Sequence, residues 1–398
     1  MKFKKEFSFA GIFKKISNYF FDCLYVLICT IVFNLVGIKV LEITPNYLNN
    51  KSVVNETVND IYKMESEAKL IDLYDLNNKK VNEPISSDDL FIKYINQHLI
   101  KAYNEGSKEI FKNIDEIDLS IYSEASIDND YLAYFYVTFI PNNLDKGFVI
   151  DYSTTPIIYF NNTILNPLRS NYDYFSFNEN DFYYLKEEYA SDLYSYLYLN
   201  SNNETGKVIF ENLKEFFIDT LNNSFSLFNN YTPFKEAYEV YNTHFNELVK
   251  ESVITNTLSY LISFIILMVV IPLVNKDFYT LGELSSKTRL FDYKDRKIKF
   301  YQPLIKSIFF FIEIYWVNIV VSVFTIGSIG LSFSLFNIGN FSFTIFYLIL
   351  ISMFILVINI VFGIINKDKR LFEEYISNTI LFEYKKVRDI DSIVNKND

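Results

Sequence analysis

Histidine and cysteine are nearly missing from this chain: His98 and His244, Cys23 and Cys29 are all there is. Both cysteines fall in one apolar run, so no disulfide framework is available and a zinc site has too few ligands. Glycine (10) and proline (8) are too sparse for a collagen-like or Gly/Pro low-complexity chain. Positive charge is short as well. The 37 Lys and Arg against 48 Asp and Glu leave a net charge of -11, which argues against a nucleic-acid binder. A phosphate-cradling glycine loop, a dinucleotide fingerprint, zinc-ligand spacing and a nucleophile elbow are all lacking. These absences predict no enzyme, no cofactor and no metal.

What the chain does have is segregation. Hydrophobic residues make up 50% and charged residues 21%, but long charge-free runs flank an acidic, polar middle. A spanning helix needs ~20 mostly apolar residues. Four segments qualify: 17–43, 253–274, 303–330 and 341–365. The first is too long for a signal-peptide core and ends in Lys39, Glu42 and Pro45 without a small-residue cleavage site. The last two share a charge-free stretch from Ile314 to Asn366, divided by a Gly, Ser and Asn cluster between Gly327 and Asn340 that reads as a turn. The expected fold is a four-helix transmembrane bundle.

Basic residues set the orientation. Residues 1–16 hold Lys2, Lys4, Lys5, Lys14 and Lys15. Residues 275–302 hold Lys276, Lys287, Arg289, Lys294, Arg296, Lys297 and Lys299, and the tail 366–398 opens with Lys367, Lys369 and Arg370. Four spans put all three segments on one side, expected to be the cytoplasm, with both chain ends inside and 331–340 as a short external loop. The protein is then a multi-pass protein of the cell membrane. Its partners are the lipid bilayer and other membrane proteins or further copies of itself.

Segment 44–252 faces outward in this topology, and acids outnumber bases in it. Its apolar residues are numerous enough for a core. Val58, Ile61 and Tyr62, Phe91, Ile92, Ile95 and Leu99, and the stretches 181–198 and 208–248 show helical spacing. Tyr131 to Ile140, Gly147 to Tyr152 and Pro156 to Phe160 are aromatic and β-branched and read as strands. The expectation is an α+β extracytoplasmic domain. Asp115, Glu116, Asp118, Asp128 and Asp130 lack the order of a calcium loop and read as a solvated acidic surface.

Ionisable residues inside spans are costly and usually partnered. Asp22 in the first span and Lys306 and Glu313 in the third are the candidate polar or ion-path residues. Asp22 and Lys306 are expected at similar depth, as a pair. Glu313, seven residues past Lys306, lies two turns deeper on nearly the same face. Asn34, Asn318 and Asn359 extend a polar seam. The arrangement serves either an ion or proton path or helix–helix adhesion. The doublet Glu373-Glu374 reads as surface.

Several segments resemble the RDD membrane-protein family. Lys14-Lys15 followed by Asp22 is similar to its basic residue and intramembrane Asp, with Lys15 where the family usually has Arg. Thr280-Leu281-Gly282, then Lys287, Arg289, Leu290 and Asp292, resembles its TLG-plus-basic signature, with Asp292 to Lys297 as the turn of a small hairpin. Lys306 falls near a basic residue that opens the next span. Asp368-Lys369-Arg370, Glu373-Glu374 and Asn378 to Leu381 resemble the closing segment, without its usual His-Asp. The resemblance implies a compact bundle with suspected transport, interrupted here by the external domain. The alternative is an ABC-type permease subunit, which can also carry an external domain between spans one and two.

Overall fold

The computed structural model describes residues 3–106, 122–148, 158, 160–177, 182–199, 202–275, 278–294, 297–326, 334–339 and 341–388. In chain order these form β1 (Phe3–Phe9), α1 (Ile12–Leu41), α2 (Pro45–Glu67), α3 (Ser87–Glu105), β2 (Phe175–Phe177), β3 (Tyr183–Leu185), α4 (Glu187–Tyr198), α5 (Glu204–Phe228) and α6 (Thr232–Phe264). There follow α7 (Leu281–Ser286), β4 (Thr288–Asp292), α8 (Tyr301–Glu313), α9 (Trp316–Ile326), β5 (Ser334–Ile338), β6 (Phe341–Thr344), α10 (Ile345–Ile365), α11 (Phe372–Ile376) and β7 (Thr379–Arg388). The chain divides into two compact units, Met1–Lys51 with His244–Asp398, and Ser52–Thr243.

Among the described residues, three helices are long and apolar enough to cross a membrane: Ile12–Leu41, Thr232–Val274 and Ile345–Ile365. Helix α1 is polar on the inside and apolar on the outside. It buries Lys15, Asn18, Asp22, Val26, Thr30 and Asn34 at spacings of three to four, all but Val26 polar, and exposes Phe20, Ile28, Val32, Leu35 and Val36. Water would favour the opposite arrangement, whereas a hydrocarbon solvent favours this one. The third expected span, 303–330, is not one helix. It breaks at Ile314 and Tyr315 into α8 and α9, directly after Glu313, and residues 327–330 lie outside the described residues. The Glu313 carbonyl at the break accepts a hydrogen bond from the Ser352 hydroxyl on α10 at 2.9 Å, so the interruption does not strand a backbone acceptor.

Span 2 shows how proline shapes such a helix. Helix α6 continues through a π-helical stretch, Ile265–Val270, into the turn Ile271–Val274. Pro272 has no N–H for the Met268 carbonyl four residues back. The Ser307 hydroxyl on α8 donates to that carbonyl instead, at 2.8 Å.

One expectation about the basic segments is revised. Residues 288–292 do not close a local hairpin around Asp292 to Lys297. Instead, β4 pairs antiparallel with β7, which also pairs with β1, in the order β1-β7-β4. The register sets Phe9 and Arg289 on either side of Phe382. The start of the chain, the loop after span 2 and the tail are thus tied in one sheet. The expected short external loop is the β5–β6 hairpin, turning at Gly339 with φ 59°. Residues 331–333 and 340 lie outside the described residues.

The second unit is largely helical, built on α3, α4 and α5, and carries the short β2–β3 pair. Tyr131 to Ile140 is helical, not a strand. The Asp130 carboxylate accepts hydrogen bonds from the Leu132 and Ala133 amides at 2.9 and 2.6 Å, which starts a helix as an N-cap does. Leu132, Phe135, Tyr136, Phe139 and Ile140 are buried at helical spacing. Asp130 is therefore not a solvated acid: it is wholly buried and bonds the His98 imidazole at 2.9 Å and the Tyr183 hydroxyl at 3.0 Å. The expected strands at 147–152 and 156–160 fall mostly outside the described residues, as do Asp115, Glu116 and Asp118.

Candidate functional site

The candidate residues converge at one end of the first unit's bundle. Thr280 caps the N-terminus of α7 and accepts the Glu283 amide at 3.1 Å. The same hydroxyl donates to Asp22 Oδ2 at 2.8 Å, and the Gly282 amide donates to Asp22 Oδ1 at 2.8 Å. A carboxylate with charge-oriented donors on both oxygens is strongly held. Gly282 is there for space as much as for its amide: a Cβ at this position would lie 2.4 Å from Asp22 Cγ. Asp22, buried at 3% exposure, and the Thr-Leu-Gly segment, far apart in sequence, thus form one clamp.

The expected Asp22–Lys306 pair does not form. Lys306 Nζ binds Glu283 Oε1 at 3.0 Å. The α7 donors already satisfy Asp22, and the same short helix offers Lys306 a closer carboxylate. Both residues nevertheless line one polar cavity of ≈ 30 Å³, together with Asn18, Thr280, Ser307, Glu373 and Glu374. That is room for about one water molecule.

Across the cavity, Lys15 forms a buried ion pair with Glu374 and donates to the Lys369 carbonyl at 2.8 Å. The paired Glu374 oxygen also accepts the Leu371 amide at 3.0 Å, and Asn359 Oδ1 accepts the Phe372 amide at 2.8 Å, fixing α11 under span 4. Contrary to the surface reading, Glu373 and Glu374 are 3% and 1% exposed. Burial pushes the Glu373 carboxyl up to about 7; the Glu374 charge adds to this, while Lys306 and Lys15 oppose it.

Glu313 ends α8 with no exposed surface. Neither of its carboxylate oxygens has a hydrogen-bond partner of normal geometry, although Asn359 is its polar neighbour. Of the wider seam, Asn34, Asn318 and Asn359 are all buried.

Five carboxyl groups (Asp22, Glu283, Glu313, Glu373, Glu374) therefore face two lysines (Lys15, Lys306) in a largely buried cluster. Glu283 Oε2, Glu373 Oε2 and Asn18 Oδ1 are buried acceptors without donors. Such an excess of acceptor oxygens favours taking up protons or donor groups over leaving bare anions. Among the described residues no group of three His, Cys, Asp or Glu is placed to hold a metal ion. Sequence reasoning missed Glu283, Glu373 and Glu374. For Glu283 a signal existed: Thr280 to Glu283 has the Thr-x-x-Glu spacing of a helix start. No family model, curated protein or solved structure matches the chain.

Proposed function

We propose that the chain is an RDD-like, four-span protein of the cell membrane whose bundle moves a small solute or ion by way of the buried carboxylate cluster, with the middle segment outside the cell as a binding or envelope-facing domain. The observation that carries this reading is Glu313, a fully buried carboxyl group with unpartnered oxygens at the break in the third span. A charge at that depth costs ~2.5–3.5 kcal/mol on insertion scales. Helix adhesion gives no reason to bear this cost, because Gln would serve as well; a group that gains and loses a proton during transport does. The Asp22 clamp supports the RDD-like core, since it joins the two most distinctive segments of that resemblance.

In sealed vesicles containing the full chain, a pH step across the membrane should drive proton flux above that of protein-free vesicles. Glu313→Gln should return it to the protein-free level. An unchanged flux in Glu313→Gln, or no flux in the wild type, rejects the assignment. Topology is tested apart from transport. With Cys23 and Cys29 replaced by Ala, a cysteine at Asp128 should react with an impermeant maleimide on intact cells, and one at Lys294 only after permeabilisation. Both side chains are exposed, so lack of reaction reports the side of the membrane and not burial.

A further inference from the structure

We propose that the bundle holds one anionic phospholipid of the cytoplasmic leaflet, its acyl chain in the groove between α1 and α10 and its phosphate at Lys367 and Lys369. The proposal rests on the reading of these helices as spans.

Helices α1 and α10 stand apart along part of their length. The gap is a groove of ≈ 290 Å³, walled by Phe20, Leu24 and Leu27 on one side and Leu356 and Ile360 on the other, with Trp316 of α9 also in its lining. Its lining on α1 begins at Lys15 and ends at Leu27. At 1.5 Å per residue that is about 18 Å, close to half of a ~30 Å hydrocarbon core. The groove is therefore as deep as one leaflet, the reach of a single acyl chain.

Lys15 borders this groove and also a second, polar cavity of ≈ 350 Å³ at the start of α1, lined by Gly11, Tyr293, Lys367, Asp368 and Lys369. The charges there suit an anion. Lys367 and Lys369 are exposed, and neither pairs with a carboxylate among the described residues. Asp368 is occupied by the Tyr293 hydroxyl at 3.0 Å and Arg370 at 3.5 Å. Lys15 is taken by Glu374 and is not free to bind the ligand. Helix α1 starts at Gly11 with no side-chain cap and no acid in its first turn, so its amide end adds to the attraction. A basic pocket that opens beside a leaflet-deep apolar groove matches a phospholipid at both ends. Free phosphate would leave the groove unexplained, and a neutral lipid would leave the two lysines unexplained.

Trp316 lines the groove and is the only tryptophan in the chain, so its emission reports occupancy without a label. The full chain is placed in phosphatidylcholine bilayers, and a brominated-chain lipid is titrated in, either phosphatidylglycerol or phosphatidylcholine. Half-maximal quenching should need about thirty-fold less of the anionic lipid, at ~1 kcal/mol per lysine. In Lys367→Gln/Lys369→Gln the two titrations should coincide while quenching itself remains. Equal midpoints in the wild type, or a preference that survives the double substitution, overturns the proposal. So does relief of quenching by millimolar inorganic phosphate, which assigns the pocket to the free ion. No quenching by either lipid overturns it too, and also counts against the spans, whereas equal midpoints leave the spans standing.

Discussion

Gly282→Ala should leave little correctly folded bundle. The added Cβ would lie 2.4 Å from Asp22 Cγ, 2.5 Å from Asp22 Oδ1 and 2.7 Å from the Asn18 carbonyl. The Asp22 carboxyl group is pinned by hydrogen bonds on both oxygens and the Asn18 carbonyl is backbone, so none of the three can swing aside freely. Either α1 moves off α7, which breaks both hydrogen bonds to the carboxylate, or the contact is overpacked. Overpacking costs ~1–3 kcal/mol, and stripping partners from a buried charge costs ~3–5 kcal/mol. Against a typical total stability of ~5–15 kcal/mol, the outcome is aggregation or a sharp fall in unfolding temperature in mild detergent, read by fluorescence-detected size exclusion. Gly11→Ala is the control, because a Cβ there meets nothing within 4 Å. Removing the other half of the contact tests the cause: Asp22→Ala is destabilising alone, yet Asp22→Ala/Gly282→Ala should be no worse than the poorer single variant. Additive losses would mean that Gly282 matters for some reason other than the clamp.

This clamp also marks where the sequence could be read and where it could not. Asp22, Lys306 and Glu313 stand out because each is a lone charge in an apolar run. Glu373 and Glu374 sit among other charges, where one more carries no local signal, and the helix-start spacing at Glu283 says nothing of burial; only the return of the chain to Lys15 and Lys306 buries these residues. The sheet β1-β7-β4 is illegible for a related reason: it joins residues such as Phe9, Arg289 and Phe382, whose pairing depends on the spans between them. The three long apolar helices follow from length and hydropathy alone, and the lead-in to the second of them from its helical spacing. The break after Glu313 does not, since neither glycine nor proline stands at it. In the second unit, the aromatic and β-branched composition of Tyr131 to Ile140 outweighed two helical cues. One was the spacing of Leu132, Phe135, Tyr136, Phe139 and Ile140. The other was an Asp placed to cap them.

The second large effect is a dependence on pH carried by Glu373. An unfolded glutamate titrates near 4.5, and the folded one is pushed up to about 7 by burial, with Glu374 adding to the push and Lys306, the largest opposing influence, together with Lys15, holding it back. Between these two values the folded chain holds a proton that the unfolded chain has released, so stability falls as pH rises through that window and levels off above it. The contribution is fully favourable below about 4.5. At ~1.4 kcal/mol per tenfold change in proton affinity, the folded state is about 3 kcal/mol less stable above pH 7 than a neutral group at the same place would make it. Glu373→Gln supplies that neutral group. Its unfolding temperature in detergent should match the wild type at pH 4.5 and exceed it at pH 8, by roughly 6–12 °C. A variant that is less stable than the wild type at pH 8 would show instead that the ionised Glu373 is a net stabilising partner for Lys306 and that burial does not raise its titration. The same titration bears on transport. On the proposed topology, a buried carboxyl group poised near neutrality at the cytoplasmic end of the bundle can exchange protons with the cell interior, and Glu313 lies deeper, with Asn359 and Lys306 as the neighbouring polar groups. If the pair acts in sequence, Glu373→Gln should shift the pH dependence of flux, while Glu313→Gln removes the flux altogether.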